Sequence, residues 1–126
     1  MDVKSRIKGL TGFEVPDTDA DMIQYITAKA EREVLDFCNL DTLPEELQYV
    51  VTDMAAGEYL AAKLASGSLN IEGLDFSAGI NSLSEGDTSI SYNTEESDSA
   101  RLQKLIDTLQ KGIESKEVLR YRKLVW

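Results

Sequence analysis

The chain contains no histidine among its 126 residues. That absence removes the commonest general base, the commonest metal ligand and every histidine-dependent catalytic triad. Cysteine occurs once, at Cys38, so no internal disulfide and no cysteine pair for zinc can form. A lone cysteine beside Phe37 on an apolar helix face reads as a small buried hydrophobe rather than a nucleophile. Its solitude also fits a reducing compartment. No apolar run reaches the roughly 18 residues of a membrane span. The opening stretch MDVKSRIKGLTGFEV has neither the apolar core nor the small-residue cleavage site of a signal peptide. GLTGFE at 9–14 has too few glycines and no following Lys-Ser/Thr for a phosphate loop. DTDAD at 17–21 starts like a calcium loop but lacks the central glycine and the distal glutamate, and its acids read better as helix-start residues. Neither an enzyme, nor a cofactor, nor a bound metal is expected.

Basic side chains are also scarce. Thirteen Lys and Arg face 23 Asp and Glu, for a net charge of −10. The deficit is uneven. Residues 1–93 hold six basic and seventeen acidic side chains, and residues 94–126 hold seven and six. A chain this acidic does not grip a nucleic acid backbone, which calls for a basic patch. It suits an ordinary solvated surface, or a protein that must sit near DNA without sticking to it.

Helical periodicity is plentiful, and 42% of the residues are apolar, enough for one domain with one modest core. Pro16 ends what precedes it, and Thr18 or Asp19 is placed to cap a helix. Ile23, Ile26, Ala30, Val34 and Phe37 then recur at steps of three or four, which predicts a helix over about 19–38 with Asn39 as its terminator. A second helix starts at LPEEL, with Thr42 and Glu45 at capping-box spacing and Pro44 in the first turn. Its apolar arc is broad (Leu47, Val50, Val51, Met54, Ala55, Leu60, Ala61, Ala62, Leu64), so it is expected at the centre of the bundle. Gly57 within it would admit a neighbouring backbone, and Ser66-Gly67 ends it. Leu102, Leu105, Ile106, Leu109 and Ile113 form the stripe of a third helix, capped by Ser97 or Asp98.

Between the second and third helices the composition changes. SGSLNIEGLDFSAGINS reads as a long connection partly pinned to the core, and SEGDTSISYN follows it. Gly86-Asp87 fits a two-residue type II′ turn. Folding there puts Leu83, Ile90 and Tyr92 on one face of a hairpin near 80–92, and Ser82, Ser84, Ser89 and Ser91 on the other. An isolated hairpin is marginal in water, so this one must pack on the helices or pair with another chain. The C-terminal stretch SKEVLRYRKLVW is basic and aromatic. Arg120, Tyr121, Arg122 and Trp126 are of the types enriched at interface hot spots, and residues 114–126 are expected to form an arm that reaches a partner. The expected architecture is mainly α: a small bundle of three to four helices with one β-hairpin, in a single domain over 1–126. Its parts are an N-terminal segment 1–16, a helical core 17–113 and the arm.

This order, with its LPEEL helix start, Gly-containing connection, GDTSISY strand and aromatic-basic tail, resembles the head–tail connector (adaptor) proteins of long-tailed bacteriophages and their prophage copies. The residues that carry the resemblance best are Gly86, Asp87, Ser89, Ile90 and Tyr92, together with TLPEELQYVVTDMAAGEYL; it spans roughly 17–125. The segment before Pro16 is longer than that pattern, and the connection at 66–79 has no counterpart in it. The resemblance implies a virion structural protein without catalysis, assembled as a homo-oligomeric ring of about a dozen subunits. Such a ring sits at the head–tail interface, assembled in the host cytoplasm, between the portal protein and the stopper or tail-completion protein. DNA crosses its channel without sequence-specific binding, and no membrane is involved. The alternative reading is a small acidic mobile-element protein acting as a DNA mimic or host-protein inhibitor.

Overall fold

A computed structural model describes residues 2–67, 98–114 and 116–121. Within them the protein is mainly helical: α1 (Val3–Thr11), α2 (Ala20–Cys38), α3 (Gln48–Ala65), α4 (Asp98–Gln110) and α5 (Lys116–Tyr121). No strand occurs among the described residues, and the hairpin expected near 80–92 lies outside them.

The chain's two prolines do the same job twice. Pro16 and Pro44 sit in extended conformation (φ −63° and −60°, ψ 148° and 146°), and each is followed by a short 3₁₀ turn, Asp17–Asp19 and Glu45–Leu47. The fixed proline φ and missing N–H suit a helix entry, and each turn carries two acids where the first-turn N–H groups point. The long helices α2 and α3 grow from these turns. The expected capping box is therefore not made: no side-chain cap bond forms at the start of the 3₁₀ turn that precedes α3. Asp19 does not cap α2 either.

The α2 stripe is buried as its spacing predicts, with Ile23, Ile26, Ala30 and Val34 in the core and Phe37 half-buried against it. Asn39 ends the helix in left-handed conformation (φ 58°), and the Leu40 N–H donates back to the Leu35 carbonyl at 3.0 Å. Cys38 is fully buried.

α3 is the central helix. It packs against α1, α2 and α4 and buries Val50, Val51, Met54, Ala55, Ala56, Tyr59 and Leu60. α4 runs antiparallel to it, since Gly57 faces Ile106, Leu109 and Gln110 while the earlier Val50 and Met54 face the later Gly112. A Cβ on Gly57 would stand 3.0 Å from the Leu109 Cβ, so the absent side chain sets the distance between the two helices. Leu102, Leu105, Ile106 and Leu109 of α4 complete the core.

The N-terminal segment 1–16 is more than a segment. Val3, Ile7 and Leu10 fall at i, i+4 and i+7, and all three are buried. Gly12 ends α1 at φ 76°, its N–H donating to the Lys8 carbonyl at 2.8 Å.

Candidate assembly site

The C-terminal stretch was expected to leave the subunit as an arm over 114–126. Its described part does the opposite. After a 3₁₀ turn at Lys111–Glu114, α5 folds back on the end of α2 and on the turn before α3. Val118 is fully buried, and the Cys38 thiol lies 3.5 Å from its carbonyl. Tyr121 is half-buried against the core, and its hydroxyl hydrogen-bonds Glu46. That bond, helped by burial, pushes the tyrosine pKa upward. The physical reason is area: an apolar terminus beside a small core gains more by docking than by waiting in water. Residues 116–121 thus act as a core element of the same chain.

What α5 still offers outward is small and specific. Arg120 is exposed, and so is Leu119, at 51%. Of the other expected assembly residues, Arg122 and Trp126 lie outside the described residues, as do Gly86, Asp87, Ser89, Ile90 and Tyr92.

Two features that the sequence did not single out join elements distant in the chain. The first is a polar clamp on α3. The Tyr59 hydroxyl donates to Asp19 at 2.6 Å, and the Lys63 ammonium reaches the same carboxylate oxygen at 2.9 Å. The Tyr59 bond first, and the Lys63 bond second, hold the Asp19 carboxyl below the ordinary carboxylate range. Burial foremost, then the Asp19 bond, push the Tyr59 hydroxyl well above the ordinary tyrosine range. Phe13 packs on the same ring, with centroids 6.3 Å apart. Nearby, the Arg6 Nε donates to Asp53 at 2.7 Å and ties α1 to α3. No residue-type signal links Asp19 to Tyr59 across forty positions. Only the helical spacing of Tyr59 and Lys63, one turn apart, was open to view.

The second feature is a groove of about 140 Å³ where α2, α3 and α4 meet. Ala30 and Met54 line it with apolar surface, and Glu33, Glu58 and Gln110 with polar atoms. Lys29 reaches Glu58 at 2.6 Å, and this contact raises the lysine pKa. One turn earlier on α2, Tyr25 is 72% exposed. The arrangement offers an apolar floor with a negative rim, the chemistry that holds a long basic side chain rather than an anion.

Among the described residues no cluster of three or more His, Cys, Asp or Glu side chains could hold a metal ion, and no helix is long and apolar enough to cross a membrane. No family model, no curated protein and no solved structure matches the chain.

Proposed function

We propose that the chain is a virion structural protein: an adaptor that forms a homo-oligomeric ring between the portal of the filled head and the stopper or tail-completion protein. DNA passes through its central channel. The reading rests on the resemblance of the sequence to head–tail connectors. The observation that supports it best is the order of elements. A stripe-faced helix is followed by the LPEEL turn, a central Ala/Gly-rich helix, and the connection 68–97 that contains GDTSISY. A further helix and a short basic-aromatic helix come last. Net acidity suits a conduit that must let DNA slide. A subunit whose last helix still exposes Leu119 and Arg120 has surface of the kind that interfaces use.

The test is sedimentation of the purified full chain, alone at increasing concentration and mixed with a portal protein. The adaptor reading expects a closed species of about a dozen subunits, formed alone or on the portal. A chain that stays monomeric under both conditions overturns it. The DNA-mimic alternative has the acidic composition as its support, and it predicts a monomer or dimer that competes with DNA for a basic partner.

A further inference from the structure

Three sides of α3 are covered, by α1, α2 and α4. The groove of Ala30, Glu33, Met54, Glu58 and Gln110 opens beside it. Its charge can be counted. Lys29 neutralises Glu58, so Glu33, which is exposed, leaves the rim with one net negative charge. Two stretches of the chain lie outside the described residues and are long enough to fill such a groove, and their chemistry differs sharply. Residues 68–97 carry six acidic side chains and no basic one, whereas residues 122–126 carry Arg122 and Lys123, no acid, and then Leu124, Val125 and Trp126. Like charge is repelled from this rim and opposite charge drawn to it, so the C-terminal stretch is the complementary occupant.

Distance then decides which copy supplies it. Tyr121 is held at Glu46, which precedes Met54 by eight positions and Glu58 by twelve. At the helical rise, the groove therefore begins about 12 Å further along α3 and extends to about 18 Å. Even fully extended, the backbone of Arg122 and Lys123 advances only about 7 Å beyond Tyr121, less than the span to their own groove, while the groove of a neighbour is under no such limit.

We propose that the groove of one subunit receives residues 122–126 of a second copy. Arg122 and Lys123 lie against Glu33, and the apolar end of the stretch lies over Met54 and the exposed ring of Tyr25. The contact is head-to-tail, the heterologous kind that closes into a ring when the rotation allows. It rests on the adaptor reading and names the surface that would build its ring.

The experiment uses the full chain with Cys38→Ala, so that no native thiol competes. One preparation carries Gln110→Cys and a second carries Leu124→Cys. The two are mixed, oxidised and separated without reductant. The expected product is a disulfide-linked pair of unlike chains. Glu33→Lys in the groove preparation lowers its yield about tenfold by placing like charges together, and Lys123→Glu in the tail preparation restores it. A yield no higher than that of a control pairing Lys8→Cys with Leu124→Cys overturns the proposal. So does a chain carrying both cysteines that closes on itself at high dilution. The outcomes separate the two readings. Linked pairs without a sedimenting ring keep the contact and remove the ring. A ring without linked pairs keeps the adaptor and removes the contact.

Discussion

The two flanks of α3 are held by different means. On the α4 flank the fit comes from what is missing: Gly57 faces the Leu109 Cβ, and Gly112 faces Val50, each where a Cβ would stand 3.0–3.1 Å from its neighbour. On the α1 flank the fit comes from what is added. Val3, Ile7 and Leu10 bury a narrow stripe, Arg6–Asp53 fixes its position, and Asp19 with Tyr59 and Lys63 holds the turn that leads from α1 into α2. The difference teaches how one apolar helix avoids ambiguity. Apolar contact alone is non-directional and tolerates sliding. Glycine removes the ambiguity on one flank by permitting a single close register, and directional polar contacts remove it on the other.

The strongest way to break the comparison is on the glycine flank. Gly57→Val would drive a branched side chain into the Leu109 Cβ, the Gln110 side chain and the Ile106 carbonyl. The last of these is backbone and cannot swing aside. The gain in helix propensity over glycine, below about 1 kcal/mol, does not offset overpacking of about 3 kcal/mol. Urea unfolding followed by circular dichroism is expected to show an unfolding free energy lower by about 2 kcal/mol, seen as a lowered midpoint at unchanged slope. A wild-type midpoint would show that α3 and α4 are not in register by close approach.

A smaller effect is expected on the polar flank. Arg6→Ala leaves the Asp53 carboxylate, only 16% exposed, without its arginine. Exposed ion pairs contribute about 0–1 kcal/mol, whereas a broken buried pair costs about 3–5 kcal/mol. A partly buried pair falls between, so a loss of about 1–2 kcal/mol is expected. Because α1 reaches the core through few side chains, the loss is expected first as faster amide exchange over residues 3–11, with α4 unchanged. Equal acceleration in both helices would show that the flanks do not behave separately.

These two flanks were unequally legible in the sequence. The close approach at Gly57 could be foreseen, because a glycine inside a broadly apolar helix has few other uses. The α2 stripe and its Asn39 terminator were equally plain, since both are local. α1 was less plain: Val3, Ile7 and Leu10 have helical spacing and Gly12 follows, but three apolar residues over nine positions make a short stripe. The expected caps are not made for a tertiary reason: Asp19 bonds Tyr59 and Lys63 instead of the α2 N-terminus, and the proline-led 3₁₀ turns replace the expected caps. Composition alone cannot say whether an apolar terminus finds its own core, and residues 116–121 do. Val118 finds it beside Cys38. The groove was invisible for the same reason, being assembled from three helices and not from any one of them.

The finest probe of the polar flank is Tyr59→Phe, because it removes one oxygen and keeps the ring that packs on Phe13. At neutral pH the lost hydroxyl bond is expected to cost about 1 kcal/mol, with Lys63 still paired to Asp19. The pH dependence carries the sharper signature. Asp19 has a lowered pKa in the folded protein, so its contribution is present above the ordinary carboxylate range and lost as the pH falls through the folded value. Removing the Tyr59 hydroxyl, the foremost cause of that shift, brings the folded carboxyl back toward its ordinary value, so the acid loss of stability is smaller in the variant and is complete at higher pH. Tyr59 itself has a raised pKa, so its contribution is present below the ordinary tyrosine value of about 10 and lost as the pH rises beyond it. The gap between wild type and Tyr59→Phe should therefore be widest in the neutral range and narrow toward both extremes. Stability measured by urea unfolding across pH would read this directly. A gap that stays constant from acid to alkali would mean that the hydroxyl acts by packing alone, and that the polar flank is less distinct from the glycine flank than the Asp19–Tyr59 bond implies.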